Sequence, residues 1–389
     1  MYVASFHHLT LTFSQDPTRH CSSTTATMSR VDNQMFGQPL EADFTHPSPY
    51  VASAYRICYL AEHAINPTQN RWPTPRDETV KTKLINIRIL GHLLSQSGFL
   101  SDTAISEVAR SIMSCQKDPA GTDETDAEAL DKLGEFYRDF LLRPFKHNSR
   151  TPDISSPSSS ESSPSSSTES FPEGLVSFDL TKEEVDKMLA EQPKSYFTSR
   201  KLADHREDHR CVATRILDVS FAAGLRNLTG EVYEDDVVSL AFCHILPELT
   251  NMGIEGKENE HDDGRNVWNV LKSLGYTDIA NHFGTPDNVH SLDNVMMMSP
   301  ELRSNFDRLY LWFEPIEDVP NRYRLCSVWT PPHGLVRGQE ITFQSTDPRF
   351  ALPNREYLRI HAACCRVGHL SGASLQLSVL LNREAEEGY

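Results

Sequence analysis

The chain has 389 residues, 38% of them hydrophobic, and carries 54 Asp and Glu against 37 Lys and Arg for a formal charge of −17. That length supports two compact units with cores of their own, and the acidic balance excludes a protein that holds polyanions by bulk electrostatics, which needs clustered Lys and Arg. No stretch approaches the roughly 18 apolar residues of a membrane span or the apolar core of a signal peptide, and eight cysteines without a Cys-x-x-Cys pair predict a reduced, intracellular protein of cytoplasm or nucleus with no membrane partner.

Residues 1–45 are expected to form a disordered extension: Met1 to Thr27 is Ser/Thr/His-rich and patternless, and Met28 heads a more ordinary start. Residues 46–147 then read as a helical unit, because apolar positions recur at helical spacing. Tyr55 to Ile65 is one helix, ended by Asn66-Pro67. Leu84, Ile87, Leu90 and Leu94 make a second stripe, and Leu130, Leu133, Tyr137, Phe140 and Leu141 a third, with Pro144 as its stop. Residues 148–175 become almost pure Ser, Pro, Thr and Glu, and nothing there offsets the entropy of ordering the backbone, so a disordered linker is expected.

The second unit is expected over residues 176–389. Thr181-Lys-Glu-Glu184 fits a capping box and opens a short helix to about Ala190. His209 to Ile216 and Val237 to Cys243 read as strands. Val267, Val270, Leu271 and Leu274, with Gly275 behind them, predict a short helix. Another is expected from Pro300 to Leu309, then a strand from Tyr323 to Trp329 and a helix from Glu356 to His369. The fold class is therefore α+β. This half is itself acidic, with 18 Lys and Arg against 28 Asp and Glu in residues 201–389, so any nucleic-acid contact has to be local.

The chemistry-bearing residues come in a fixed order. Arg210-Cys-Val-Ala-Thr-Arg215 is followed by Phe242-Cys-His-Ile-Leu-Pro247 and then by Asn294-Val-Met-Met-Met-Ser-Pro-Glu-Leu-Arg-Ser-Asn-Phe-Asp307. Together with Leu309 to Pro315 and the run His361-Ala-Ala-Cys-Cys-Arg-Val-Gly-His369, this order resembles a fungal HNH-nuclease-type domain, and the resemblance reaches from about residue 45 onward. It implies a β-hairpin followed by a helix around one metal ion, enlarged here by helical insertions. His244 falls at the general base that activates water, and Asn294 at the middle Asn that organises the loop. Cys243, Glu301 and Asp307 fall where metal ligands stand, for a divalent cation such as Mg²⁺ or Zn²⁺.

Two positions depart from the pattern. Arg215 stands where the family has a turn-forming Gly, and Arg303 where the helix usually supplies its second metal-binding His. A protonated guanidinium has no lone pair to give a cation, and its charge opposes one. A thiolate at Cys243 suits Zn²⁺ and suits Mg²⁺ badly. The resemblance thus implies an HNH-type endonuclease, with two alternatives: a catalytically retired scaffold that binds a protein partner, or an HNH-derived enzyme of fungal specialised metabolism. Arg303 and Asp307, four apart on the expected helix, also read as a simple ion pair. His361 and His369, eight apart, read as packing residues, and adjacent Cys364-Cys365 as neither disulfide nor metal clasp. The acidic run Glu255 to Asp263 reads as a solvated insertion.

Overall fold

The computed structural model describes residues 37–67, 78–118, 122–125, 127–147, 180–191, 194–230, 232–247 and 266–387. The expectations for Met1–Thr27, for the Ser/Pro-rich linker and for the acidic run at 255–263 lie outside the described residues. Mixed helices and small sheets make up the fold, in keeping with an α+β class. No described helix is long and apolar enough to cross a membrane.

Helix α1 (Pro49–Ile65) starts on a proline, whose fixed φ and missing N–H suit a first turn. Helix α2 (Glu78–Leu94) is buried on all sides from Leu84 to Leu94, including the charged Arg88. That burial is tolerable because Arg88 Nε donates to Glu62 Oε1 at 2.6 Å and Arg88 Nη1 to the Gly37 carbonyl at 2.9 Å. Helix α3 (Asp102–Met113) is capped by Ser101. The short pair β1 (Gln116–Asp118) and β2 (Thr122–Thr125) is antiparallel. Helix α4 (Ala127–Tyr137) passes through a π turn, Arg138–Leu142, into a last turn, Arg143–His147. Pro144 therefore sits inside the helical run instead of stopping it. The wider π turn just before it is where a missing N–H and a bulky ring cost least.

The supposed extension 1–45 needs correction at its end, since residues 37–45 are built into the fold. The Gly37 and Gln38 amides donate to the His369 and Leu370 carbonyls at 3.2 and 2.6 Å. The Leu40 amide donates to Glu62 Oε2 at 2.7 Å, and the Leu40 side chain is 2% exposed. The segment carries too little local periodicity to declare itself; its order comes from partners far along the chain.

Downstream, α5 (Lys182–Ala190) opens with both hydrogen bonds of the Thr181–Glu184 capping box. Helix α6 (Tyr196–Arg206) follows, and then a tight turn where a strand was expected over His209–Ile216. Asp208, His209 and Arg215 adopt φ of 58°, 54° and 61°, and the Arg215 amide closes on the Cys211 carbonyl at 2.9 Å. Apolar content without a regular partner strand folds back on itself here. The parallel pair β3 (Leu217–Asp218) and β4 (Val237–Val238) is joined by α7 (Val219–Thr229). The strand expected over Val237–Cys243 breaks after β4, because the Leu240 amide turns to Asp218 Oδ2 at 2.9 Å, and resumes as β5 (Ala241–His244).

Helices α8 (Val267–Ser273) and α9 (Thr277–Phe283) and two 3₁₀ turns, Pro286–His290 and Leu292–Asn294, lead to β6 (Val295–Met298), antiparallel to β5. Helix α10 (Pro300–Asp307) comes next, then the antiparallel meander β7 (Leu311–Pro315), β8 (Arg322–Ser327) and β9 (Glu340–Thr342). Helices α11 (Arg355–Ser371) and α12 (Ala373–Glu387) are separated by Gly372, whose φ of 88° ends α11 in the left-handed conformation that glycine adopts without strain.

The front helices and the last helices share one core. Arg366 of α11 donates to Gln96 Oε1 behind α2 at 2.9 Å, and Gln376 of α12 to Thr82 at 2.8 Å. Lys146 reaches the Arg308 carbonyl at 2.9 Å and Ser374 Oγ at 3.1 Å. Ser101 donates its amide to the Tyr276 hydroxyl at 2.9 Å.

Candidate functional site

Strands β5 and β6 pair residue for residue, Ala241 with Met298 through His244 with Val295. Ser299 ends β6 and caps α10, which packs back across β5. Two antiparallel strands and a helix thus bring His244, Asn294, Arg303 and Asp307 to one place. The Cys211 turn backs this unit, with the Val212 amide donating to the Met297 carbonyl at 2.9 Å.

Asn294 is fully buried and uses its whole side-chain amide. Its Oδ1 accepts the Leu246 N–H at 2.8 Å, while Nδ2 donates to the Val289 and Leu246 carbonyls at 2.9 and 3.2 Å. It therefore ties the exit of β5 to the 3₁₀ turn that precedes β6. A hydroxyl has one donor and an ionised carboxylate none, so neither could make all three bonds.

His244 is buried behind Tyr196 and Phe242, and its Nε2 lies 2.9 Å from Nδ1 of His290, so one ring donates and the other accepts. Burial pushes the His244 imidazole down to about 3, with His290 and Arg303 adding to the effect, and the ring is neutral across the physiological range. His290 is half-buried, with the Tyr196 ring edge against it, and its carbonyl accepts from Ser199 Oγ at 2.5 Å. His290 belongs to no recognised motif, and only its position four residues before Asn294 hints at a role, so sequence reasoning passed over it.

At the other end of the site, Arg303 Nε donates to Asp307 Oδ2 at 3.3 Å. The Cys243 thiol lies 3.7 Å from Asp307 Oδ1. Burial raises Asp307 to about 6 against the opposing pull of the Arg303 guanidinium. Burial, followed by the neighbouring Asp307 charge, holds the Cys243 thiol well above its ordinary value. Cys243 and Asp307 are thus brought together. Glu301 is not: it lies on the exposed side of α10, 3.5 Å from His333 Nε2. These residues do not fit a divalent cation, because a guanidinium is hydrogen-bonded to the one buried carboxylate and the thiol beside it is held protonated. Among the described residues no group of three or more His, Cys, Asp or Glu is placed to hold a metal ion.

Two further elements fix the site from behind. Buried Arg206 donates to the Leu292 and Val295 carbonyls, each at 2.7 Å, and to Glu207 Oε1 at 2.5 Å, while Glu207 Oε2 accepts the Met297 amide at 2.8 Å. Burial drives Glu207 up to about 7 against the Arg206 charge. His361 and His369 present Nε2 to the Phe306 and Leu309 carbonyls at 3.3 and 2.7 Å, and His361 stacks on Phe306 at 3.7 Å. These carbonyls lie at and just past the C-terminal end of α10, where backbone acceptors lack intrahelical partners. Both imidazoles act in packing and capping, and Cys364 and Cys365 are buried, free thiols. Comparison with protein-family models, with curated proteins and with solved structures finds no match in any of the three.

Proposed function

We propose that the chain is built on an HNH-type ββα unit whose metal-dependent cleavage has lapsed, and that it works as a scaffold for a protein partner. The observation that carries this reading is the Arg303–Asp307 pair. It joins two positions at which the resemblance expects metal-binding side chains, and it sets a permanent positive charge against the buried carboxylate, beside the Cys243 thiol. The net charge of −17 supports the same reading, since it disfavours a polyanionic substrate.

The test is calorimetric titration of the full chain and its Arg303→His variant with Mg²⁺, Mn²⁺ and Zn²⁺, beside an assay for cleavage of single- and double-stranded DNA and RNA. The expected result is no metal uptake and no cleavage by the natural chain. Metal-dependent cutting that His244→Ala abolishes would sink the scaffold reading.

A second reading, an HNH-type endonuclease with His244 as general base, is favoured by one specific observation. His290 Nδ1, 2.9 Å from His244 Nε2, orients the His244 ring, and burial keeps it neutral, which is the state a base needs. The same assay decides between the two.

A further inference from the structure

The lobe formed by β3, α7 and β4 has little apolar burial to hold it. Of the residues of α7 only Ala222 and Gly224 are buried, so local opening of this lobe is easy compared with opening of the core. What ties it to the rest of the chain gathers at one histidine. The His209 ring stacks on Phe221 in the first turn of α7, with centroids 3.9 Å apart and planes 12° from parallel. Its Nδ1 lies 2.6 Å from Asp204 Oδ2 on α6. The His209 carbonyl accepts the Asp218 N–H at 2.8 Å. Asp218 in turn caps α7 by accepting the Ser220 and Phe221 amides on Oδ1, and holds Leu240, just past β4, through Oδ2. One residue thus meets α6 and α7 with its ring and β3 with its backbone.

The charges around this ring favour its protonated form. Burial alone would lower the imidazole, but the Asp204 hydrogen bond and the carboxylates of Asp204, Asp208 and Asp218 outweigh it and hold His209 above its ordinary value. Two groups act the other way. Arg210 lies 3.5 Å from Asp208 and donates to the Arg215 carbonyl at 3.1 Å, so its charge is already partnered. The His205 ring meets His209 edge-on at 6.1 Å.

We propose that the His209–Asp204 pair is a pH-sensitive clasp between α6 and the β3–α7–β4 lobe, closed when the imidazole is charged and loosened when it is neutral. A neutral ring keeps a hydrogen bond to Asp204 but loses the ion pair. Because the folded value is raised, the contribution is present in full below the ordinary histidine value of about 6.5 and is lost as pH rises through the folded one. This is the reverse of His244, which burial keeps neutral. The turn that carries His209 also donates the Val212 amide to Met297 of β6, so the clasp lies between the lobe and the candidate site. It operates whether or not the HNH-like unit cuts nucleic acid.

The test is amide hydrogen exchange of the full chain from pH 6 to pH 8.5, expressed as protection factors to remove the intrinsic pH dependence of exchange. An NMR titration of the His209 ring, assigned with His209→Gln, accompanies it. Amides of α7 from Ala222 to Leu228 are expected to lose protection severalfold as the ring deprotonates, while those of α11 do not. Asp204→Asn keeps size and hydrogen bonding at a partly exposed position. It should leave α7 weakly protected at both ends of the range and bring the His209 titration down toward its ordinary value.

Protection of α7 that stays level with pH in the natural chain would overturn the proposal. So would an equal fall in Asp204→Asn, or a His209 ring that titrates at or below the ordinary histidine value. A parallel loss in α11 would also overturn it, because the effect would then belong to the whole chain and not to the lobe.

Discussion

Asn294 Oδ1 accepts the Leu246 N–H at 2.8 Å while Asn294 Nδ2 donates to the Val289 carbonyl at 2.9 Å, so one side chain clasps both the exit of β5 and the turn that carries His290. Asn294→Ala leaves three buried backbone groups without partners, for a cost of about 3 kcal/mol. Asn294→Asp keeps the acceptor, loses both donated bonds and adds a buried charge, and is expected to cost at least as much. Urea unfolding of the two variants checks this; a midpoint unchanged by Asn294→Ala would show that the clasp is not structural.

The Arg303–Asp307 pair is nearly buried, with side-chain exposures of 13% and 2%. Arg303→Met strands the Asp307 carboxylate and is expected to destabilise the chain by about 3 kcal/mol at neutral pH. The loss should shrink at pH 5, where Asp307, already raised to about 6, is protonated. Arg303→Met/Asp307→Asn should recover most of the loss. Denaturation of both variants at pH 5 and pH 7.5 measures this, and a double variant as weak as the single one would contradict it.

Four buried histidines set the acid limit of the fold. Burial lowers His244 and His361 to about 3, and His92 and His369 to about 4. Below the ordinary histidine value the unfolded chain takes up protons that the folded chain refuses, so the stability these residues confer is present above about 6.5 and is lost as pH falls through their lowered values. Each contributes a slope of up to about 1.4 kcal/mol per pH unit. Asp307 and Glu207, raised to about 6 and about 7, act in the opposite sense: their contribution is present below their ordinary values and is lost as pH rises through the raised ones. With four histidines against two carboxyls, stability should fall steadily from pH 6.5 to pH 4. His361→Gln should be less stable at neutral pH but show a shallower slope, and a parallel curve would argue against the assignment.

Two glycines allow close approaches of very different stiffness. A Cβ on Gly134 of α4 would lie 2.3 Å from the Asn86 backbone oxygen of α2, whereas the nearest atoms to one on Gly91 would be the Leu40 methyl groups at 2.5 Å. A backbone carbonyl inside a helix cannot yield, but a leucine side chain can rotate away. Gly134→Ala is expected to cost about 3 kcal/mol, beyond the gain in helix propensity, and Gly91→Ala about 1 kcal/mol with faster exchange of the Leu40 amide. Thermal unfolding and hydrogen exchange rank the two, and the reverse order would contradict the packing account.

The legible parts of the chain were those whose signals are local. The Thr181–Glu184 box, the Gly275 stop, the α2 stripe and the α11 run with Gly372 all depend on residues within a few positions of one another, and they form where expected. Helices α6 and α7 carry weaker stripes and were not anticipated, because α6 is held by Arg206 and Ser199 reaching residues near position 290. The turn at 209–216 looked like a strand because its apolar residues Cys211, Val212 and Ala213 are buried, yet they sit in a loop that meets β6 through the Val212–Met297 backbone hydrogen bond. In the candidate site, the order of the motifs along the chain singled out His244, Asn294 and Asp307, and the β5–β6 pair and α10 bring them near one another. Glu301 is exposed and faces His333 instead, and His290 was missed because nothing next to it in sequence marks it; only the fold brings its ring to His244.

The hydrogen bonds from Gly37 and Gln38 to the carbonyls of His369 and Leu370 join the two ends of the described chain. Closing so long a loop is slow, and its entropy must be met before the contact repays it. A chain still emerging from the ribosome can form its local helices, but the slot for residues 37–40 is incomplete until α11 has been made. The His361 and His369 contacts that fix the far end of α10 wait for the same helix. A product stopped before α11 would carry the site's central residues without the His361 and His369 contacts at the end of α10.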